Sequence, residues 1–337
     1  MAEIRKDLLR DTWIIIAKDR ALKPNDFPIN KEGVHFSGND KVCPFCAGNE
    51  IHTPPEIAAY RDKLSRANSP GWTIRAIPNK YSAFSLQNEL KIEHTGINQS
   101  RTGVGQHEVI IETPEHDSEL HEFNTDKIEL VFKMFQERYL ALANDARIKY
   151  IQIYKNRGIF AGASLVHSHS QILALPMVPE VNKGLPKYYE MHSDCLICNI
   201  IAQEKALGSR VIYEGDEFIV LSPYASRFAY EIWVLPKKHQ AHFGNITVNE
   251  RQELAFIVKQ VLGGIIAILG NPSYNIAINS APINSGKEKA YHWFVEITPR
   301  LIVTAGVEVT TGLYMNPVSP EVATQIFKEE MAILLKE

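Results

Sequence analysis

The 337-residue chain contains the same series of residues twice, once in each half. Each half has a Cys-x-x-Cys pair and, further along, a block that begins with Glu and reaches a His eight positions later through an apolar run and a proline. The pairs are Cys43 and Cys46, and Cys195 and Cys198; the blocks are Glu108–His116 and Glu231–His239. A match in order and kind over roughly 150 residues indicates that one structural unit was duplicated.

A long helix and a second strand follow each block. Apolar residues recur at helical spacing over 128–142 and 254–269, and Thr247 and Glu250 have the spacing of a capping box. The runs Tyr150–Asn156 and Tyr274–Asn279 alternate in the manner of strands.

This order of elements predicts an α+β fold with two similar halves, residues 1–185 and 186–337. Each half is expected to form an antiparallel sheet with a long helix packed on it. The active cleft is expected along a strand of the first half.

Each half also supplies the ligands of one metal site. In a chain whose N-terminus has no apolar signal segment, two Cys-x-x-Cys pairs favour metal binding over disulfides. A thioredoxin-type pair would follow a strand, whereas each pair here opens a segment. The residues form two Cys₂His₂ sets, which suit structural Zn²⁺: Cys43, Cys46, His116 and His167 in the first half, and Cys195, Cys198, His239 and His292 in the second. His242 is the alternative to His239 as a ligand.

The stretch His167-Ser-His-Ser-Gln171 carries the chemistry. If it is a strand, His167, His169 and Gln171 point to the same face. The second half has Phe294 where the first has His169, so His169 is predicted to act beyond folding. A neutral imidazole whose other ring nitrogen is held as a donor can attack phosphorus.

Neutral hydrogen-bond donors surround this stretch in the sequence. Gln171 is expected to donate its amide to a phosphate oxygen without adding charge, and Asn156 and Ser164 are further donors. Gly158 and Gly162 allow backbone N–H groups to approach a phosphate closely.

The motif Gly162-Ala-Ser-x-x-His-Ser-His-Ser-Gln171, with Asn156 before it, resembles the active site of the galactose-1-phosphate uridylyltransferase family in the histidine-triad superfamily. The resemblance implies duplicated histidine-triad-like halves and a ping-pong transfer in which His169 becomes nucleotidylated. It also implies a homodimer whose C-terminal segment near Glu308 completes a neighbour's site. Ser168 departs from the usual His-Pro-His, and the chain is also similar to ADP-glucose phosphorylases.

The same resemblance assigns binding residues. Asn79 and Arg75 lie where the family binds the nucleoside, although Arg75 could also be a solvated surface charge. Glu308 resembles the family's hexose-contacting acid, and Tyr314 stands where the family favours Gln. Other histidines, including His107 and His242, lack a counterpart in the repeat and are interpreted as surface or packing residues.

The favoured function is a UDP-glucose:hexose-1-phosphate uridylyltransferase of galactose metabolism. The alternatives are an ADP-glucose phosphorylase that transfers adenylate to inorganic phosphate, a hydrolase that uses water, and a zinc-ribbon interaction protein. The last would cluster basic and aromatic residues around the cysteines, but Asp40, Lys41 and Glu50 are of mixed sign.

Composition narrows the class of partner. The net charge of −3, with 22% charged and 45% hydrophobic residues, is that of a globular protein without a nucleic-acid-binding stripe or a polybasic membrane patch. The apolar run Val261–Gly270 is too short to span a bilayer. A cytoplasmic location is therefore expected.

Overall fold

The computed structural model describes residues 2–17, Pro24, Phe27 and 42–334. Ten antiparallel strands form one large sheet, to which each half contributes five. The first half supplies β3 (Ala58–Arg61), β4 (Trp72–Pro78), β7 (Gln106–Ile111), β8 (Tyr150–Arg157) and β9 (His169–Leu175). The second supplies β10 (Val211–Glu214), β11 (Phe218–Leu221), β12 (Ile232–Pro236), β13 (Tyr274–Asn279) and β14 (Phe294–Pro299). Two smaller sheets contain β1 (Glu3–Asp7), β2 (Thr12–Ile16) and β15 (Tyr314–Asn316), and β5 (Ile92–Thr95) and β6 (Asn98–Arg101).

The two halves place equivalent strands in the same order, outward from a junction between β8 and β13. The order is β8, β9, β7, β4, β3 on one side and β13, β14, β12, β11, β10 on the other. Five residue pairs, from Ile153 opposite Ile278 to Arg157 opposite Tyr274, join the halves into one continuous sheet. The predicted α+β fold with duplicated halves is confirmed. The boundary at residue 185 stays a prediction.

Helices pack on both faces of the large sheet. They are α1 (Thr125–Ala143), α2 (Gly184–His192), α3 (Leu196–Leu207), α4 (Val248–Leu269), α5 (Gly306–Thr311) and α6 (Pro320–Leu334). Asn124 caps α1 by accepting from the Lys127 amide, and the predicted capping box of Thr247 and Glu250 begins α4. The apolar stripes of α1 and α4 share one core with the sheet, so both predicted helices are confirmed.

Helix α4 is, among the described residues, the one helix that is long and apolar enough to cross a membrane, with a mean hydropathy of 1.6. The apolar run Val261–Gly270 covers only the last nine residues of this helix and its C-cap, Gly270. Half of its most apolar window is buried within the protein, as in the core helix of a globular domain.

Strand alternation separates the core face from the other face of the sheet. Ile172 of β9 lies in the core with α1, and therefore His169 and Gln171 point to the opposite face. The prediction that His167 belongs to this strand is wrong, because β9 begins at His169. His167 lies in the preceding loop, where one ring nitrogen contacts the Thr113 carbonyl and the other faces Cys43 and Cys46.

Candidate active site and metal centres

Four predicted ligands of the first half lie together. The Cys46 Sγ is 3.4 Å from the Nδ1 of His116 and 3.6 Å from that of His167, and the Cys43 Sγ is also 3.6 Å from His167 Nδ1. Zinc bonds of about 2.3 Å to sulfur and 2.0–2.1 Å to nitrogen at tetrahedral angles place S and N about 3.5 Å apart. The donor set therefore fits a zinc ion.

The environment of His167 supports the same geometry. Its Nε2 donates to the carbonyl oxygen of Thr113 at 2.7 Å, which leaves the Nδ1 lone pair facing the cysteines. Burial lowers the pKa of His167 to about 4, so the ring is neutral, as a metal ligand must be.

The second half brings its four predicted ligands together as well. Cys198 Sγ lies 3.5 Å from the Nδ1 of both His239 and His292, and Cys195 Sγ lies 3.9 Å from His292 Nδ1. All four ligand atoms are within 4.8 Å of one another, as in the first group. His242 is outside the group; its Nδ1 is 3.1 Å from the Tyr139 hydroxyl.

His169 is held in one tautomer beside the first metal group. Its ring is 6% exposed, and its Nδ1 donates to the His167 carbonyl oxygen at 2.8 Å. The Nε2 of a neutral imidazole then carries the lone pair. Burial, opposed by that hydrogen bond, lowers the pKa of His169 and favours the neutral form. Phe45, between the two cysteines, packs edge-on against both His167 and His169 and links the metal group to the candidate nucleophile.

Gln171 lies two residues further on the same face of β9. Its Oε1 is 2.7 Å from His107 Nε2 and 3.0 Å from the Tyr154 hydroxyl. Tyr154 is directly opposite Gln171 on β8, and His107 comes from β7 on the other side. His107, interpreted from the sequence as a surface or packing residue, is half-buried and contacts a predicted site residue.

Asn156 and Ser164 are the other two predicted donors. Asn156 is the penultimate residue of β8, and its Oδ1 accepts a hydrogen bond of 2.8 Å from the Asn275 amide. Ser164 is exposed in the loop before β9. In that loop Gly162 has φ of +81°, a conformation that favours glycine, and a Cβ there would lie 3.9 Å from Asn156 Nδ2.

Asn79 follows β4 at the edge of the same cluster. Its backbone N–H donates to the His107 carbonyl oxygen at 2.7 Å, and its Nδ2 is 3.4 Å from His107 Nε2. A line of polar side chains thus runs from Asn79 through His107 to Gln171.

Arg75 and Glu308 stand apart from this line. Arg75 is 1% exposed, so the alternative that it is a solvated surface charge is wrong. Its guanidinium donates to Glu56, Thr53 and Asn68, and direct contact with a nucleotide stays a prediction. Glu308 caps its own short helix through the Ala305 N–H, and its hexose contact also stays a prediction.

A buried ion pair lies under the nucleophile's strand. The Glu112 carboxylate accepts from Lys155 at 2.7 Å, from the Ser168 hydroxyl at 2.6 Å and from the Ser170 hydroxyl. Lys155 also donates to the His169 carbonyl oxygen at 3.2 Å. The two serines that alternate with the histidines therefore anchor the strand from its core side. Their alternation was the only sequence signal of this network.

The corresponding place in the second half is closed. Phe294, at the position of His169, is buried with Leu9 and residues of α3. Glu296 replaces Gln171 and makes ion pairs of 2.7 Å with Arg10 and Arg227. Although burial opposes its ionisation, these two guanidinium groups lower the pKa of Glu296 to about 2. A fixed carboxylate would repel phosphate, so the described residues offer one site of this kind, in the first half.

Comparison with known proteins identifies the family and the solved structures that this chain is similar to. Residues 2–179 match the family model "Galactose-1-phosphate uridyl transferase, N-terminal domain", and residues 182–336 match the corresponding C-terminal domain. The chain is 34% identical to an ADP-glucose phosphorylase of Arabidopsis thaliana over 97% of this chain and 92% of that one. It is 28% identical to a galactose-1-phosphate uridylyltransferase of Thermotoga maritima over 98% of each. A crystal structure of an Arabidopsis ADP-glucose phosphorylase with bound ADP-glucose superposes with a TM-score of 0.79 at 31% identity, covering 98% of both chains.

Proposed function

This chain belongs to the galactose-1-phosphate uridylyltransferase family and is a nucleotidyltransferase, and we propose that it transfers a nucleoside monophosphate through a covalent intermediate on His169. The observation that carries the proposal is the 2.8 Å hydrogen bond from His169 Nδ1 to the His167 carbonyl. It keeps the lone pair on Nε2, the nitrogen that must attack phosphorus.

The transfer takes two steps. In the first, Nε2 of His169 attacks the α-phosphorus of a nucleotide sugar, an N–P bond forms, and the P–O bond to the sugar phosphate breaks to release a hexose 1-phosphate. In the second, a phosphate oxygen of the acceptor attacks the same phosphorus and the N–P bond breaks, which restores the imidazole. The amides of Gln171 and Asn156 and the Ser164 hydroxyl donate to the non-bridging oxygens, whose charge grows in the transition state.

The nucleotide and the acceptor are the finer part of the proposal. We favour an ADP-sugar donor and inorganic phosphate as acceptor, because the 34% identical relative is an ADP-glucose phosphorylase. Ser168, where the uridylyltransferase pattern has Pro, is consistent with that choice. The second candidate is UDP-glucose with a hexose 1-phosphate in galactose metabolism, which the Thermotoga relative favours. A zinc-ribbon interaction protein would leave the buried, tautomer-fixed His169 without a role.

We also propose a structural zinc ion in each Cys₂His₂ group. A zinc ion with four protein ligands has no open position for substrate, so each ion would stabilise the fold. In the first half, a zinc ion would fix the positions of His167 and Phe45, and these two side chains would in turn hold the neighbouring ring of His169 in place.

The homodimer is a further proposal and rests on the family resemblance. In it, Glu308 would reach the hexose in the partner's cleft. Light scattering tests the assembly, and Glu308→Gln is expected to raise the KM for the sugar substrate more than it changes kcat.

One experiment tests the proposed function. The protein is incubated with ADP-glucose and, separately, with UDP-glucose, each radiolabelled in the nucleoside, and the label on the protein is counted after denaturation. We expect stable labelling from ADP-glucose, discharge by inorganic phosphate and none of either in His169→Ala. Labelling from UDP-glucose with discharge by galactose 1-phosphate would select the second candidate. Full turnover in His169→Ala would overturn the covalent mechanism.

A further inference from the structure

A glutamine beside a phosphate helps the reaction in only one of two orientations. Its NH₂ group stabilises a phosphate oxygen, whereas its carbonyl oxygen repels one. The two differ by a half-turn about the last side-chain bond, which is a soft torsion. Gln171 is only half-buried, so packing alone does not choose between them.

Two donors occupy the carbonyl end of Gln171. The hydroxyl of Tyr154 is 3.0 Å from Oε1, and burial raises the pKa of Tyr154, so this group keeps its proton. His107 Nε2 is 2.7 Å from the same oxygen. The two donors belong to the strands on either side of β9, and their donor atoms lie 3.2 Å from each other beside the same oxygen.

The tautomer of His107 follows from its contacts. Its Nε2 is 2.7 Å from Gln171 Oε1 but 3.4 Å from Asn79 Nδ2. The shorter contact selects an N–H on Nε2 that donates to Gln171. Burial lowers the pKa of His107, which favours the neutral ring with that single proton.

We propose that His107 and Tyr154 are positioning residues that hold the carbonyl oxygen of Gln171 and so aim its NH₂ group at the transferred phosphate. The inference deepens the proposed function and rests on it. Asn156 has a parallel arrangement: the Asn275 amide donates to its Oδ1 at 2.8 Å and to the Ala161 carbonyl at 2.9 Å. In both amides the acceptor end is occupied by protein and the donor end is left for the ligand.

The test is a double-mutant cycle between His107 and Gln171. The rate of His169 labelling is measured in a single turnover with nucleoside-labelled ADP-glucose and UDP-glucose, for the wild type, His107→Phe, Gln171→Ala and the double variant. Loss of a charge-assisted hydrogen bond in the transition state lowers the rate by about 10- to 100-fold, and we expect His107→Phe to show most of this in kcat rather than in KM. In the Gln171→Ala protein, adding His107→Phe should lower the labelling rate by less than about a further 2-fold, because His107 then has no amide to orient.

Further variants separate positioning from folding. Tyr154→Phe removes one O–H and should slow labelling about 3- to 10-fold. His107→Gln, which restores an N–H donor, should recover more of the rate than His107→Phe. His242→Phe, at another half-buried histidine, is the matched control and should label at the wild-type rate. Zinc content and melting temperature are measured for each variant.

The outcomes are distinct. If His107→Phe labels at the wild-type rate, or slows the Gln171→Ala protein as much as it slows the wild type, the positioning role is refuted. If the wild type itself forms no adduct with either nucleotide sugar, the proposed function fails instead.

Discussion

Replacing Lys155 by methionine should destabilise the protein strongly, because it leaves a carboxylate buried without its cation. Lys155 and Glu112 are 3% and 1% exposed, and their charged atoms are 2.7 Å apart. Burial opposes ionisation of Glu112, but the Lys155 ammonium and the hydroxyls of Ser168 and Ser170 outweigh it and lower the pKa of the carboxyl group. Methionine retains the length of the lysine stem, so the variant removes the charge with little change in packing.

The magnitude follows from the burial. Breaking a buried ion pair by removing one partner costs about 3–5 kcal/mol. With an unfolding entropy of about 2.1 cal/mol/K per residue, a chain of 337 residues loses about 1.4 °C per kcal/mol, so the melting temperature should fall by about 4–7 °C. The matched control is Lys205→Met, whose pair with Glu214 is 45% and 39% exposed and should contribute less than about 1 kcal/mol.

Urea unfolding followed by circular dichroism, together with thermal melting, measures the effect. The double variant Lys155→Met with Glu112→Gln should recover more than half of the lost stability, because it no longer buries an unpaired charge. Equal unfolding free energies for Lys155→Met and Lys205→Met, or a double variant that is less stable than Lys155→Met alone, would refute the reasoning.

Other predictions follow from the metal groups, the nucleophile and the closed half. His169→Ala should lower turnover by on the order of 10⁴-fold while mass spectrometry of the metal content stays at two zinc ions per chain. His167→Ala should lose one zinc and lower the melting temperature, and Cys198→Ser should lose the other zinc while His169 is still labelled. Burial and the neighbouring Glu296 raise the pKa of Glu231 to about 7. The folded state then holds a proton that the unfolded chain releases near pH 4.5, so this stability is complete below about pH 4.5 and is lost as pH rises through 7. Between pH 5 and 8 the unfolding free energy of Glu231→Gln should therefore decline less than that of the wild type; parallel curves would contradict this.

The sequence was sufficient for the parts that repeat or have a local period. Helices α1 and α4 follow from apolar spacing, and α4 also from a capping box whose two residues lie within one turn. The two Cys₂His₂ groups follow from comparing the halves, because a duplicated fold places equivalent residues in equivalent positions.

Contacts between strands could not be predicted in the same way. The pairing of β8 with β13, and of Lys155 with Glu112, depends on register between segments far apart in the chain. His107 has no counterpart in the second half, and only the strand order places it beside Gln171. The loop position of His167 depends on contacts with Thr113 and the cysteines that no local pattern encodes.

The pairing of β8 with β13 also bears on how substrate can enter. Five consecutive residue pairs of β8 and β13 join the two halves by strand pairing, so the halves cannot open and close around substrate as two hinged domains. We therefore expect the proposed nucleotide substrate to enter past segments beside the sheet, such as the loop 158–168 ahead of β9. If the two halves were produced as separate fragments, β8 and β13 would each become an edge strand whose backbone N–H and C=O groups have no partner. Such fragments are expected to reassociate with each other or to aggregate.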